Sequence, residues 1–239
     1  MKLINNITKH VFVMLIVLAN NHQLMAMNNE SAEFSVNEKT IKQSWNFVAY
    51  LDDEEIGYHN FEVVQNNGNL VVKTQAKFDV SFMFIPLYSY EHKNTEIWRN
   101  NCLISLDSST LDDGEKLFVN LSNKNGNTRI ITPDNNITKT SCIRSFAYWD
   151  YELINSKVLL NVQTGELIDV NYRFVGSELI NINYQPVDAR RYQLMGEDQS
   201  GNSINIDLWY NSNNHWIALQ SRLDNGRSLR YQLTQESVK

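Results

Sequence analysis

From Leu70 to Phe84 hydrophobic and polar positions alternate with a period of two. Leu70, Val72, Thr74, Ala76, Phe78, Val80, Phe82 and Phe84 share one face, and Lys73, Gln75, Lys77, Asp79 and Ser81 share the other. Such a run predicts a strand with one buried face. Its fifteen residues are about three times the usual strand length, which calls for a bent strand wrapping around a core. Shorter runs of the same kind follow at KLFVNLS, ELIDVNYRF, ELININY, INIDLWY, HWIALQS and SLRYQLT. Between the runs, Asn67-Gly68, Asp113-Gly114, Asn125-Gly126 and Asn225-Gly226 are pairs that tolerate positive φ at both turn positions, and they predict four hairpins. Gly165, Gly176 and Gly201 are three further turn candidates. The expected fold is mainly β: an antiparallel meander forming a single β-barrel, closed or incomplete, of lipocalin-like or lipoprotein-carrier-like type.

One segment departs from alternation. In TSCIRSFAYWDYELINSKVLLN, Thr140 to Asn161, apolar residues fit helical spacing better, and Ser141 and Asp150 are candidate N-caps. This predicts a short helical insertion between two halves of the sheet, serving either to cover one end of the barrel or simply to connect.

Composition fits a single core, with 42% hydrophobic and 11% aromatic residues among 239 and only three scattered prolines. The N-terminus reads as an address. Lys2 and Lys9 precede the apolar run Val11 to Ala19, and Leu24-Met25-Ala26 ends in a small residue, so a signal peptide over residues 1–26 and a mature chain starting at Met27 are expected. Nine apolar residues are too few for a spanning helix, which needs about 20. No cysteine follows them, which argues against a lipoprotein. Residues 27–239 are then one β-barrel-like domain, periplasmic or secreted and soluble.

Removing residues 1–26 takes away two lysines and no acids, leaving 19 basic against 27 acidic side chains, a net of −8. That balance disfavours nucleic acid as a partner and gives an anionic membrane no electrostatic foothold, so stable membrane insertion is not expected. Cys102 and Cys142 would meet an oxidising compartment after export, so a disulfide is one reading and a pair of small apolar fillers the other. The absence of a CxxC motif excludes thioredoxin-like chemistry and a four-cysteine zinc site.

Catalytic motifs are missing: there is no nucleophile elbow, zinc-protease helix, phosphate-binding glycine loop or calcium loop. No cofactor is called for. The candidate chemistry lies in LYSYEHKNTEIWRN, Leu87 to Asn100. On a strand, Tyr88, Tyr90, His92, Asn94, Glu96 and Trp98 share one face. Large apolar bodies with polar tips suit a partly wet cavity wall, although the same residues also suit a hydrogen-bonded core. A metal held by His92 and Glu96 alone fails, because four residues along a strand span about 13 Å. EIGYHNFEV supplies a second stretch of wall, with Gly57, His59, Phe61 and Val63 on one face.

These stretches, together with SFAYWD, LLNVQTGELIDVNY and IDLWYNSNNHWIALQS, resemble an uncharacterised family of exported, β-rich bacterial proteins. The resemblance runs from Trp45 to Leu233. By motif it falls on Gly57, His59, Tyr90, Glu96, Trp98, Gly114, Tyr148, Trp149, Asn161, Thr164, Gly165, Trp209 and Tyr210. It implies one β-rich domain and no established activity. Tyr148-Trp149-Asp150 stands where some members carry a histidine, so no histidine role transfers to that position.

Two classes of function stay open. One is a binding or carrier protein for an apolar or amphipathic small molecule, with Gly57, His59, Tyr90, His92, Glu96, Trp98, Tyr148 and Trp149 as ligand-binding residues. The other is a hydrolase- or isomerase-like enzyme using His59 or His92 as base with Glu96 or Asp150 as the orienting carboxylate. An accessory role in envelope assembly has no distinguishing mark in the sequence.

Overall fold

The computed structural model describes residues 42–66, 68–82, 85–223 and 225–238. The expected signal peptide, the start at Met27, Asn67 and Phe84 lie outside the described residues. Fourteen strands form one antiparallel sheet. The first eight are β1 (Lys42–Leu51), β2 (Glu54–Asn66), β3 (Asn69–Phe82), β4 (Ile85–Arg99), β5 (Cys102–Asp112), β6 (Glu115–Lys124), β7 (Asn127–Ile131) and β8 (Asn136–Lys139). The remaining six are β9 (Val158–Leu160), β10 (Leu167–Ile182), β11 (Gln185–Glu197), β12 (Ser203–Asn211), β13 (Trp216–Arg222) and β14 (Ser228–Val238).

Across the sheet the order is β8-β7-β6-β5-β4-β3-β2-β1-β14-β13-β12-β11-β10-β9. The first and last strands therefore pair in the middle, and the two edges, β8 and β9, follow one another along the chain. An incomplete barrel results, because no ladder joins those edges. The residues between them form a strap that fills part of the seam. Leu103 N donates to Ile143 O at 2.9 Å, Leu160 N donates to Arg144 O at 2.7 Å, and Ser145 makes a parallel bridge with Leu160. Cys102 and Cys142 are joined in a disulfide, with Cα atoms 5.2 Å apart.

Alternation explains the long strands. On β3, Val72, Thr74, Ala76, Phe78 and Val80 are buried while Lys73, Gln75, Asp79 and Ser81 are exposed. The core continues through Trp45, Phe47, Leu194, Leu208, Tyr210 and Trp216, all nearly inaccessible. Two of the predicted two-residue turns form as expected: Asp113-Gly114 joins Asp112 to Glu115, and Asn125-Gly126 joins Lys124 to Asn127, each with positive φ at both positions. The same geometry occurs without glycine at Asn100-Asn101 and Asn183-Tyr184, where the sequence carries no Asn-Gly or Asp-Gly signal.

Three local expectations are corrected. Gly176 is not a turn: it lies within the sixteen-residue β10, at a register slip between Phe174 and Gly176, so the runs on either side belong to one bent strand. Asn225-Gly226 does join a hairpin, of β13 and β14, but through a loop longer than two residues, since the last ladder pair is Arg222 with Ser228. The helical insertion shrinks to a five-residue 3₁₀ turn, Tyr151–Asn155, capped by Asp150 accepting from Glu152 N. Ser141 caps no helix, because the Ile143 and Arg144 carbonyls after it accept from Leu103 of β5 and Leu160 of β9. No helix among the described residues is long and apolar enough to cross a membrane.

Candidate functional site

The period of two that buries Trp98 also turns Tyr90, His92, Asn94 and Glu96 inward, each at least nine-tenths buried, while Glu91 and Lys93 stay outside. Antiparallel register places β2, β3, β4 and β5 side by side, so that His59, Ala76, His92 and Thr110 form one row across the inner wall. The two histidines thus share a level of the barrel but stand two strands apart.

The wall encloses a cavity of about 430 Å³. His59, Tyr90, His92, Asn94 and Glu96 line one part of it, and Ile204, Ile206 and Leu229 of β12 and β14 line an apolar part. Ser145 to Trp149 of the strap close the end near Cys102 and Trp98. Toward the other end the lining turns polar, with Thr164, Glu166, Asp198, Asn202 and Arg227 from the turns after β9, β11 and β13. His59 keeps some accessible surface, and that surface opens on the cavity.

A chain of hydrogen bonds runs down the β4 wall. Trp98 Nε1 donates to Glu96 Oε2 at 2.6 Å, Ser145 Oγ donates to the same carboxylate at 3.1 and 3.3 Å, and Asn94 Nδ2 reaches Glu96 Oε1 at 3.4 Å. The Asn94 amide also lies 3.3 Å from His92 Nε2, and His92 Nδ1 lies 2.8 Å from Thr110 Oγ1. This pattern is consistent with a His92 proton on Nδ1, donated to Thr110, and an Nε2 that accepts. His59 Nδ1 meets the Tyr231 hydroxyl at 3.2 Å.

Burial decides the charge states. Desolvation lowers the pKa of His92 to about 4, and desolvation with the nearby His92 lowers that of His59 to about 3. Both rings are therefore neutral at pH 7. Desolvation pushes Glu96 up to about 7, against the opposing effect of the hydrogen bonds from Trp98 and Ser145. No basic side chain among the described residues forms an ion pair with it.

Of the residues expected at a site, His59, Tyr90, His92, Glu96, Tyr148 and Trp149 line the cavity. Gly57 and Trp98 do not. Gly57 is a backbone requirement: at φ +145° a Cβ would lie 2.0 Å from Lys77 O. Trp98 is packed beneath the cavity, 2% exposed and edge-on to Trp149 at 5.7 Å. Asp150 forms an ion pair with Arg144. Sequence reasoning passed over Thr110, Ser145 and Tyr231. Tyr231 was readable from the alternation Leu229, Tyr231, Leu233, whereas Ser145 carries no periodic signal. The two cysteines are bonded rather than independent fillers. No group of three or more His, Cys, Asp or Glu among the described residues is placed to hold a metal ion.

A cavity inside an open antiparallel barrel defines a β-barrel-like fold class. Within it, the chain belongs to the family described as a domain of unknown function, DUF6134, whose model matches residues 47–234. It is similar to the β-barrel-like protein of domain of unknown function DUF1849 from Brucella abortus, with a TM-score of 0.61 at 9% identity over 84% of this chain and 98% of that one. A DUF1329 family protein from Desulfovibrio piger ATCC 29098 matches at 9% identity over 82% and 84% of the two chains, with a TM-score of 0.18, too low to bear on the fold. No curated protein matches the chain.

Proposed function

We propose that the protein is an exported binding or carrier protein that holds an apolar or amphipathic small molecule inside the barrel. The observation that carries this reading is the cavity of about 430 Å³, apolar in its body and polar toward one end, within the size range of small-molecule sites. Export is supported by the disulfide, which persists in oxidising compartments, and by the signal-like N-terminus.

The enzyme reading is disfavoured because it needs a histidine oriented by a carboxylate. His92 is bonded to Thr110 and Asn94, His59 to Tyr231, and Asp150 to Arg144. Native mass spectrometry of the protein isolated from the exporting cell tests the proposal. A copurifying small molecule, released by denaturation and absent from a variant with the cavity filled by Ala76→Phe, is the expected result. A ligand-free protein that also fails to bind any neutral fluorescent apolar probe would overturn it.

A further inference from the structure

In the enclosed part of the cavity, Glu96 is a buried acid that a purely apolar ligand leaves unexplained. Its side chain lines the cavity at 4% exposure, and every group bonded to it is a neutral donor: Trp98, Ser145 and Asn94. Buried carboxylates are ordinarily matched by a cation, and here the described residues supply none. The titratable groups around it are His92 on the same strand, His59 on β2, and Tyr148 with the Arg144–Asp150 pair on the strap. Arg144 is committed to Asp150, and burial holds both histidines neutral.

The rest of the lining points the same way. Phe61, Phe78, Tyr90, Tyr148, Trp149 and Tyr231 surround the space, and the negative faces of such rings attract a desolvated ammonium. An anionic head group would meet the opposite: a carboxylate, and no positive side chain in the enclosed part of the wall. The lining's arginines, Arg222 and Arg227, lie at the end of β13 and in the turn after it, and Arg227 is paired with Asp52. We infer that the cavity is built for a cationic amphipathic ligand, whose ammonium group serves as the counter-ion of Glu96 while its apolar body lies among the aromatic rings. This deepens the binding reading above and rests on it.

Three amphiphiles of equal chain length and different head-group charge test the inference: dodecylamine, dodecanol and dodecanoate, each below its micellar concentration at pH 8. Each competes against the neutral fluorophore N-phenylnaphthylamine bound to the full mature chain. Dodecylamine should displace the probe at a concentration about tenfold or more below that of dodecanoate, with dodecanol between them. Glu96→Gln, checked for folding by circular dichroism, should lose that ranking and keep dodecanol binding. A second readout needs no variant. At pH 7, calorimetry in two buffers of different ionisation enthalpy should show proton release from the wild-type protein on binding dodecylamine and none on binding dodecanol. Dodecanol and dodecanoate binding as tightly as dodecylamine, without proton release, would overturn the counter-ion role and leave the binding proposal standing. A protein that binds none of the three and no probe would overturn both.

Discussion

The wall of β2 to β4 and the strap of residues 140–157 face the same cavity, yet opposite means hold them in place. The wall is fixed by long ladders, ten residue pairs between β2 and β3 and thirteen, with one register shift at Val80, between β3 and β4. Its side-chain directions follow from the backbone, so that one register decision turns five consecutive alternate residues inward. The strap has few backbone bonds to the sheet, and relies on a disulfide, an ion pair, one 3₁₀ turn and buried apolar groups such as Ile143, Ala147 and Leu153. The difference teaches that a cavity can have one face set by periodicity and another set by individual contacts. The two should then fail differently when perturbed.

The largest effect belongs to the wall. Trp98→Ala removes a fully buried indole and a donor to Glu96, and should lower stability by about 3–5 kcal/mol in urea denaturation. Because Trp98 packs beneath the cavity, probe affinity per folded molecule should fall less than stability does. A stable variant with abolished probe binding would make Trp98 a contact residue and not a support beneath the cavity.

On the strap, Cys102→Ser with Cys142→Ser opens a loop closed across a sequence separation of 40, and chain entropy sets the loss at up to about 4 kcal/mol. Strap residues should gain amide-exchange rate before the wall does. Uniform acceleration over both regions would show that wall and strap unfold as one unit.

How much of this was legible in the sequence follows the same division. Alternation alone placed Tyr90, His92, Asn94, Glu96 and Trp98 on one buried face, and the Asp-Gly and Asn-Gly pairs marked four connections between antiparallel neighbours, because period and positive φ are local properties. Gly176 misled because a glycine that relieves a bulge within a strand looks the same as one in a turn. Ser141 misled because nothing local reveals that the next carbonyls are taken by Leu103 and Leu160. Ser145 was invisible as a partner of Glu96, which lies 49 positions away. That Trp98 stops short of the cavity depends on the strap's Trp149, another contact without a sequence period.

The pH dependence of stability sharpens the comparison from the wall side. Glu96 has an ordinary pKa of 4.5 and a folded value of about 7, so the folded state binds its proton more tightly. Its contribution to stability is fully present below pH 4.5 and is lost as pH rises through 7. Wild type should therefore lose about 2–3 kcal/mol relative to Glu96→Gln between pH 4.5 and 8. His59 and His92 shift the other way, from 6.5 down to about 3 and 4. Their contribution is present above pH 6.5 and fades as pH falls, but it is common to both proteins and drops out of the difference. A difference that stays flat with pH would mean that Glu96 titrates as an exposed carboxylate.

The smallest effect isolates the hydrogen bond that joins the two regions at the site, from Ser145 Oγ to the Glu96 carboxylate. Ser145→Ala removes a donor from a carboxylate that has no cation, so above pH 7 the loss should be about 1.5–2 kcal/mol, the range for bonds to charged groups. Below pH 5 Glu96 is protonated in the folded state and needs that donor less, so the loss should shrink toward about 0.5 kcal/mol. The same variant should raise the Glu96 pKa further, since one of the bonds opposing desolvation is gone. In a double-mutant cycle with Glu96→Gln, the coupling should be present at pH 8 and mostly absent at pH 5. A loss that is equal at both pH values and additive with Glu96→Gln would assign Ser145 to packing alone. The strap would then be attached to the wall by its disulfide and its apolar contacts, with no electrostatic link between the regions.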